Sequence, residues 1–185
     1  SSGKDIHLTI NSLLQKFTML RISEHSAAVV VIDLLTGGLS CMASNPSFDP
    51  NKFVEGMSQK DWDLLRNSKH QPLANKAISG NYPPGSTFKM LVAIAAIENG
   101  FVEIDELVNC SGFQEVFERK FHCWKSSGHG DMDLISGIEE SCDVYFYNLA
   151  VRVGINKIVE TAKKFGIGQA LTLPLPGVSK GLLPS

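Results

Sequence analysis

The sequence predicts an α+β domain in which a β-hairpin and several helices surround one central apolar helix. Three observations carry that expectation. Residues 27–35 and 39–43 are strand-like runs joined by Thr36-Gly37-Gly38, a turn signal. Residues 86–99 are apolar on nearly every face (Phe88, Met90, Leu91, Val92, Ile94, Ile97), the pattern of a helix buried in a domain centre. Residues 134–165 carry two further helical stretches split by Gly154. Two strands are too few for a free-standing sheet in 185 residues, so further strands are expected beyond this sequence.

Taken in order, residues 6–21 read as an amphipathic helix, with Leu13, Leu14, Phe17 and Leu20 at three- and four-residue steps. The run at 27–35 is continuously apolar, which predicts a strand covered on both faces. Residues 44–51 form a loop with two prolines. Ser58 followed by Asp61 is a capping box that opens a short helix through Arg66. Tyr82-Pro83-Pro84-Gly85 is a rigid entry to the helix beginning at Ser86, and Gly100 stops that helix as a left-handed cap. Helices at 134–153 and 155–165 follow, then a closing loop at Leu173-Pro174-Leu175-Pro176-Gly177. No repeat interrupts the chain, and residues 1–185 read as part of one domain.

Composition narrows the function classes. Hydrophobic residues make up 43% of the chain, enough for a sizeable core. A net charge of −2 argues against nucleic acid as a partner, since such surfaces carry a basic stripe. No apolar run reaches the roughly 18 residues of a membrane helix. No signal peptide is visible at Ser1, so any targeting segment is expected outside this sequence.

Ser86-Thr87-Phe88-Lys89 sets a hydroxyl and an amine one helical turn apart on one face. A serine hydroxyl is a weak nucleophile until a neighbour takes its proton. A lysine in an apolar setting loses its proton more easily than the usual ~10.4 allows, and can then act as a base. The tetrapeptide alone is weak, because Ser86 could simply cap the helix. Its context is stronger. Asn75-Lys76-Ala77 and Tyr82-Pro83-Pro84-Gly85-Ser86-Thr87-Phe88-Lys89 resemble the active-serine region of class B penicillin-binding proteins. Val31-Ile32-Asp33 with Gly37-Gly38 resembles the family's first hairpin, and Phe48-Asp49-Pro50-Asn51-Lys52-Phe53 its next loop. Ser141-Cys142-Asp143 stands at the family's Ser-x-Asn motif; aspartate there, followed by Tyr145-Phe146-Tyr147, resembles the elongation type, penicillin-binding protein 2.

The resemblance implies the penicillin-binding and serine β-lactamase-like fold, truncated before its later strands. It also implies D,D-transpeptidation at a bacterial inner membrane, on the periplasmic face. Ser86 would attack a stem peptide ending in D-Ala-D-Ala, or a β-lactam, and Lys89 would accept its proton. Ser141 would relay a proton to the leaving amine, and Asp143 would hydrogen-bond Lys89 or the substrate backbone. Proteins of the elongation machinery would be partners, and a membrane anchor would lie outside this sequence. The family's Lys-Thr-Gly or Lys-Ser-Gly motif is absent. It is expected beyond Ser185, and it supplies an oxyanion contact worth roughly 10²–10³ in rate, so this stretch alone is expected to be poorly active.

Cys110, Cys123, His129 and Cys142 form a second constellation in a turn-rich stretch. Their spacing leaves pairing, metal binding and free thiols open. Three thiolates and one imidazole can complete a closed tetrahedral zinc site. Phe121-His122-Cys123-Trp124-Lys125 and Gly128-His129-Gly130 resemble a segment of some elongation-type proteins in which matching positions hold zinc. That resemblance puts structural zinc ahead of its main rival, a Cys110–Cys123 disulfide. Cys41 is expected in a strand and His122 in an exposed loop. Two other functions compete. One is a β-lactamase or β-lactam sensor of the same fold, although no Glu-x-x-Leu-Asn stretch is present. The other is a non-catalytic zinc-stabilised scaffold, which the Ser86–Lys89 pair argues against.

Overall fold

The computed structural model describes residues 3–184. They fall into two compact units, one reaching Gly80 and including Leu173–Ser179, the other covering Asn81–Thr172 and the residues after Ser179. No helix among the described residues is long and apolar enough to cross a membrane.

The first unit is built on helix α1 (Ser12–Arg21) and the antiparallel hairpin β1 (Ala27–Ile32) and β2 (Leu39–Asn45). The helix starts six residues later than periodicity predicts. Asn11 caps it, its Oδ1 accepting from the amides of Leu13 and Leu14 at 3.1 and 3.0 Å. The preceding residues run alongside β2 instead: Thr9 donates to the Leu39 carbonyl and the Asn11 amide to that of Ser40. Most of the apolar stripe also points outward, Leu14 alone being partly buried. Leu13, Phe17 and Leu20 are exposed, and Thr18 is the buried residue. Gln15 fixes the helix to the sheet by exchanging two hydrogen bonds, both 2.9 Å, with the main chain of Met42. The strand at 27–35 ends early, because Asp33 Oδ1 accepts from the amides of Leu35 and Thr36 and folds them into the turn. Those two amides hold the Asp33 carboxyl below its ordinary range. Val30, Val31 and Ile32 are exposed rather than doubly covered, since β1 has one neighbour, β2, among the described strands. Short helices α2 (Asn51–Glu55), α3 (Gln59–Arg66) and α4 (Lys76–Ser79) complete this unit. Ser58 caps α3 as expected, its Oγ accepting from the Asp61 amide, but the second bond runs from that Oγ to Asp61 Oδ2 and not from the Ser58 amide as a full capping box would have it.

In the second unit a short 3₁₀ turn, Gly85–Phe88, runs straight into α5 (Lys89–Glu98). Gly100, at φ +67, ends it. Val92, Ala93, Ala95 and Ala96 are buried against α7 (Asp143–Val153) and α8 (Ile155–Lys164). Met90 and Ile97 remain about half exposed (54% and 48%), so one side of α5 is open, short of the full burial expected. The expected helix at 134–153 is two helices. α6 (Leu134–Glu139), capped by Asp133, is separated from α7 by the turn Glu140-Ser141-Cys142. The break has a local cause: Ser141 takes φ +49, a left-handed angle that no continuous helix accommodates. Between α5 and α6 lie β3 (Val108–Cys110) paired with β6 (Gly130–Met132), and the hairpin β4 (Phe113–Val116) and β5 (Arg119–His122). The sequence reading did not anticipate this hairpin. Its two-residue turn, Phe117-Glu118, has both residues at positive φ yet carries none of the glycine or asparagine that signals such a turn.

Candidate active site and metal centre

The second unit brings Ser86, Lys89, Ser141 and Asp143 into one hydrogen-bonded row. The 3₁₀ turn has three residues per turn, so Ser86 and Lys89 stand directly above one another. Ser141 lies between their functional atoms. Its Oγ is 2.8 Å from Ser86 Oγ and accepts from Lys89 Nζ at 3.0 Å. Lys89 also donates to the Ser141 carbonyl at 2.7 Å and to Asp143 Oδ1 at 2.7 Å. Its side chain is 14% exposed and that of Asp143 23%, while Ser86 faces solvent. The Phe146 ring, 5.7 Å from Nζ, closes one side.

Two features of this row were not legible in the sequence. No direct hydrogen bond joins Ser86 Oγ to Lys89 Nζ among the described residues; Ser141 bridges them. Lys89 also spends three donated hydrogen bonds on Ser141 and Asp143, the full complement of an ammonium group. Ser141 Oγ is therefore the one side-chain oxygen within hydrogen-bond reach of both Ser86 Oγ and Lys89 Nζ among the described residues.

Cys110, Cys123, His129 and Cys142 converge immediately behind the same turn. Their four ligand atoms all lie within 4.8 Å of one another, and the three cysteines are buried. His129 Nδ1 faces two thiols, 3.6 Å from Cys110 Sγ and 3.5 Å from Cys123 Sγ. A tetrahedral ion with Zn–S near 2.3 Å and Zn–N near 2.0–2.1 Å requires an S···N edge of about 3.6 Å. The residues therefore fit zinc. None of the four cysteines of the chain forms a disulfide. The cradle is also tight: a Cβ on Gly112 would lie 2.2 Å from the Ser126 carbonyl oxygen, and one on Gly128 2.2 Å from that of Cys110.

The thiols differ in their surroundings. Burial pushes Cys142 up to about 12, and its neighbours Cys110 and Cys123 add to the shift. Burial acts on Cys123 too, but the amides of Lys125, Asp143 and Val144 outweigh it and bring that thiol below its ordinary value. Cys41 is a fully buried residue of β2, as expected, and His122 is exposed but in strand β5 rather than in a loop.

Comparison with known proteins matches this arrangement to one family. Residues 27–185 fit the model of the penicillin binding protein transpeptidase domain. The chain belongs to that family. It is 37% identical to the peptidoglycan D,D-transpeptidases MrdA of Acinetobacter baumannii and Escherichia coli, over 99% and 100% of its length. It spans under a third of those relatives, 28% and 29%. Among solved structures it is similar to Pseudomonas aeruginosa PBP2 in complex with WCK 5153, with a TM-score of 0.93 and 39% identity. That alignment covers 99% of this chain and 42% of the other. The Helicobacter pylori complex between PBP2 and MreC gives a TM-score of 0.89 at 34% identity, covering 95% and 33%. The α+β transpeptidase fold is therefore the fold of this chain, which holds part of the domain. Trp124 joins the site as a residue whose role the sequence reading did not assign; its contacts are made only by the folded loop.

Proposed function

We propose that this chain carries the acylating serine of a peptidoglycan D,D-transpeptidase. The observation that carries the reading is the unbroken row Ser86–Ser141–Lys89–Asp143, with its nucleophile open to solvent. Ser86 Oγ attacks the carbonyl carbon of the penultimate residue of a stem peptide ending in D-Ala-D-Ala. Its proton passes to Ser141 Oγ and on to the neutral form of Lys89. The amide C–N bond breaks, and the terminal D-alanine leaves with a proton returned along the same row. An amine of a neighbouring strand then attacks the ester, forms the cross-link and restores the Ser86 hydroxyl. Asp143 holds Lys89 in place throughout. β-Lactams acylate the same hydroxyl. The whole protein acts at the periplasmic face of the inner membrane with partners of the elongation machinery, a reading supported by the MreC complex of the Helicobacter relative.

Cys110, Cys123, His129 and Cys142 hold zinc in this reading. When bound, zinc supplies a closed structural cross-link with no open position for water. Cys142 stands between Ser141 and Asp143, so anchoring its sulfur anchors both neighbours.

Labelling of the full-length protein with a fluorescent penicillin tests the central claim. Covalent label on the wild type and none on Ser86→Ala is the expected result. Label retained by Ser86→Ala overturns the assignment of the nucleophile. Elemental analysis tests the metal: one zinc per wild-type chain is expected, and metal-free, fully folded wild type refutes it.

A further inference from the structure

We propose that Trp124 is a positioning residue for the acylation step, a role that rests on Ser86 being the acylated serine. Trp124 is 63% exposed, so apolar burial does not account for where its ring lies. It makes two polar contacts instead, and they fall at the two ends of one short turn. Its indole Nε1–H donates to the Glu140 carbonyl at 3.0 Å. Its main-chain amide donates to Asp143 Oδ2 at 3.0 Å. Ser141, the bridge between Ser86 and Lys89, sits between those two points at φ +49.

The arrangement adds to a turn whose amides at Glu140, Ser141 and Cys142 already bond back to Ser136, Ile138 and Gly137. A left-handed serine lies in a sparsely populated region and persists only where its surroundings hold it. The indole contact restrains the carbonyl just before Ser141. The amide contact fills one oxygen of Asp143 and leaves Oδ1 aimed at Lys89, 2.7 Å away. The ring also packs edge-on against His129, with centroids 5.2 Å apart, so one residue touches both the serine row and the thiol cluster. Its polar contacts go to Glu140 and Asp143 and none goes to Ser86, so it acts through the turn that carries Ser141 and Asp143.

The amide contact survives any side-chain change, so the indole is the part a substitution reads. The experiment measures acylation of the full-length protein by a fluorescent penicillin. It separates the rate constant of the covalent step from the dissociation constant of the prior complex, for wild type, Trp124→Phe, Trp124→Ala and Ser86→Ala. A hydrogen bond of about 1–1.5 kcal/mol corresponds to roughly tenfold in rate. The covalent step in both Trp124 variants is expected to slow about tenfold. Stoichiometric labelling, metal content and the dissociation constant should stay at wild-type values, with Tm lowered by no more than the loss of one exposed hydrogen bond. An unchanged covalent step in Trp124→Phe overturns the proposal; if Trp124→Ala alone is slow, the ring and not its N–H matters. Loss of labelled fraction together with a lowered Tm assigns Trp124 to stability and overturns it as well. Failure of the underlying reading has a separate signature, label persisting in Ser86→Ala.

Discussion

The serine row and the thiol cluster share a single turn, residues 140–143, yet they are held together by different physics. Ser141 and Asp143 project to the side where hydrogen bonds join them to Ser86 and Lys89. Cys142, between them, projects into the core, where it is wholly buried beside Cys110 and Cys123. The row is open to water at Ser86, where a bond can be exchanged for one to solvent at modest cost, although Lys89 and Asp143 are only 14% and 23% exposed. The cluster is closed, so its members have no such alternative. The comparison teaches that chemistry and stability should separate on one side of this turn and travel together on the other.

Lys89→Ala probes the open side and should have the largest effect. Loss of the proposed base is expected to slow penicillin acylation by roughly 10²–10⁴, while zinc content changes little. A metal-depleted Lys89→Ala protein would break the separation. Cys142→Ala probes the closed side. It should lose zinc, lower Tm and slow acylation together, as read by elemental analysis, calorimetry and label. Normal acylation without metal would refute the coupling through the turn.

Gly128→Ala sharpens the point without touching a ligand. Its new Cβ would meet the Cys110 carbonyl at 2.2 Å, at a φ of +79, so the two loops must part. Weakened zinc retention against a chelator is expected, with a fall in stability of about 1–3 kcal/mol by denaturant titration. Unchanged retention would mean that the cradle is softer than its contacts imply.

The remaining effect is one of pH on chelator-treated protein. Burial raises Cys142 from 9.0 to about 12, so the folded state favours the neutral thiol. The sign follows from linkage: that contribution is whole below about pH 9 and is lost as pH rises towards about 12. Denaturant midpoints should therefore drop between neutral and strongly alkaline solution. The zinc-loaded protein should behave oppositely at the acid end, because metal binding displaces thiol protons and acid restores them. A metal-free midpoint that is flat with alkalinity would place Cys142 in a wetter site.

How much of this was legible depended on the range of the interactions. The capping of α3 by Ser58, the stop at Gly100 and the stacking of Ser86 on Lys89 are all local. Each needs only a few neighbouring residues, and each was readable. Where local signals competed, periodicity misled. Of the stripe Leu13, Leu14, Phe17 and Leu20 only Leu14 is partly buried, while Gln15 docks on β2 and Thr18 is the buried residue of the helix. The hairpin β4–β5 was missed because Phe117 and Glu118 adopt turn angles without turn residues.

The sequence by itself determined the chemistry available: a serine and a lysine one turn apart, and a set of thiols able to hold a soft metal. Spacing along a helix is set by backbone geometry alone, so no tertiary knowledge was needed. Only the tertiary structure decided that Ser141 stands between Ser86 and Lys89, that His129 turns Nδ1 to the thiols, and that Trp124 spans the turn between both sites. Those contacts join residues 6 to 55 positions apart. Their distances follow from how α5, α7 and the intervening loops pack, which no local pattern encodes.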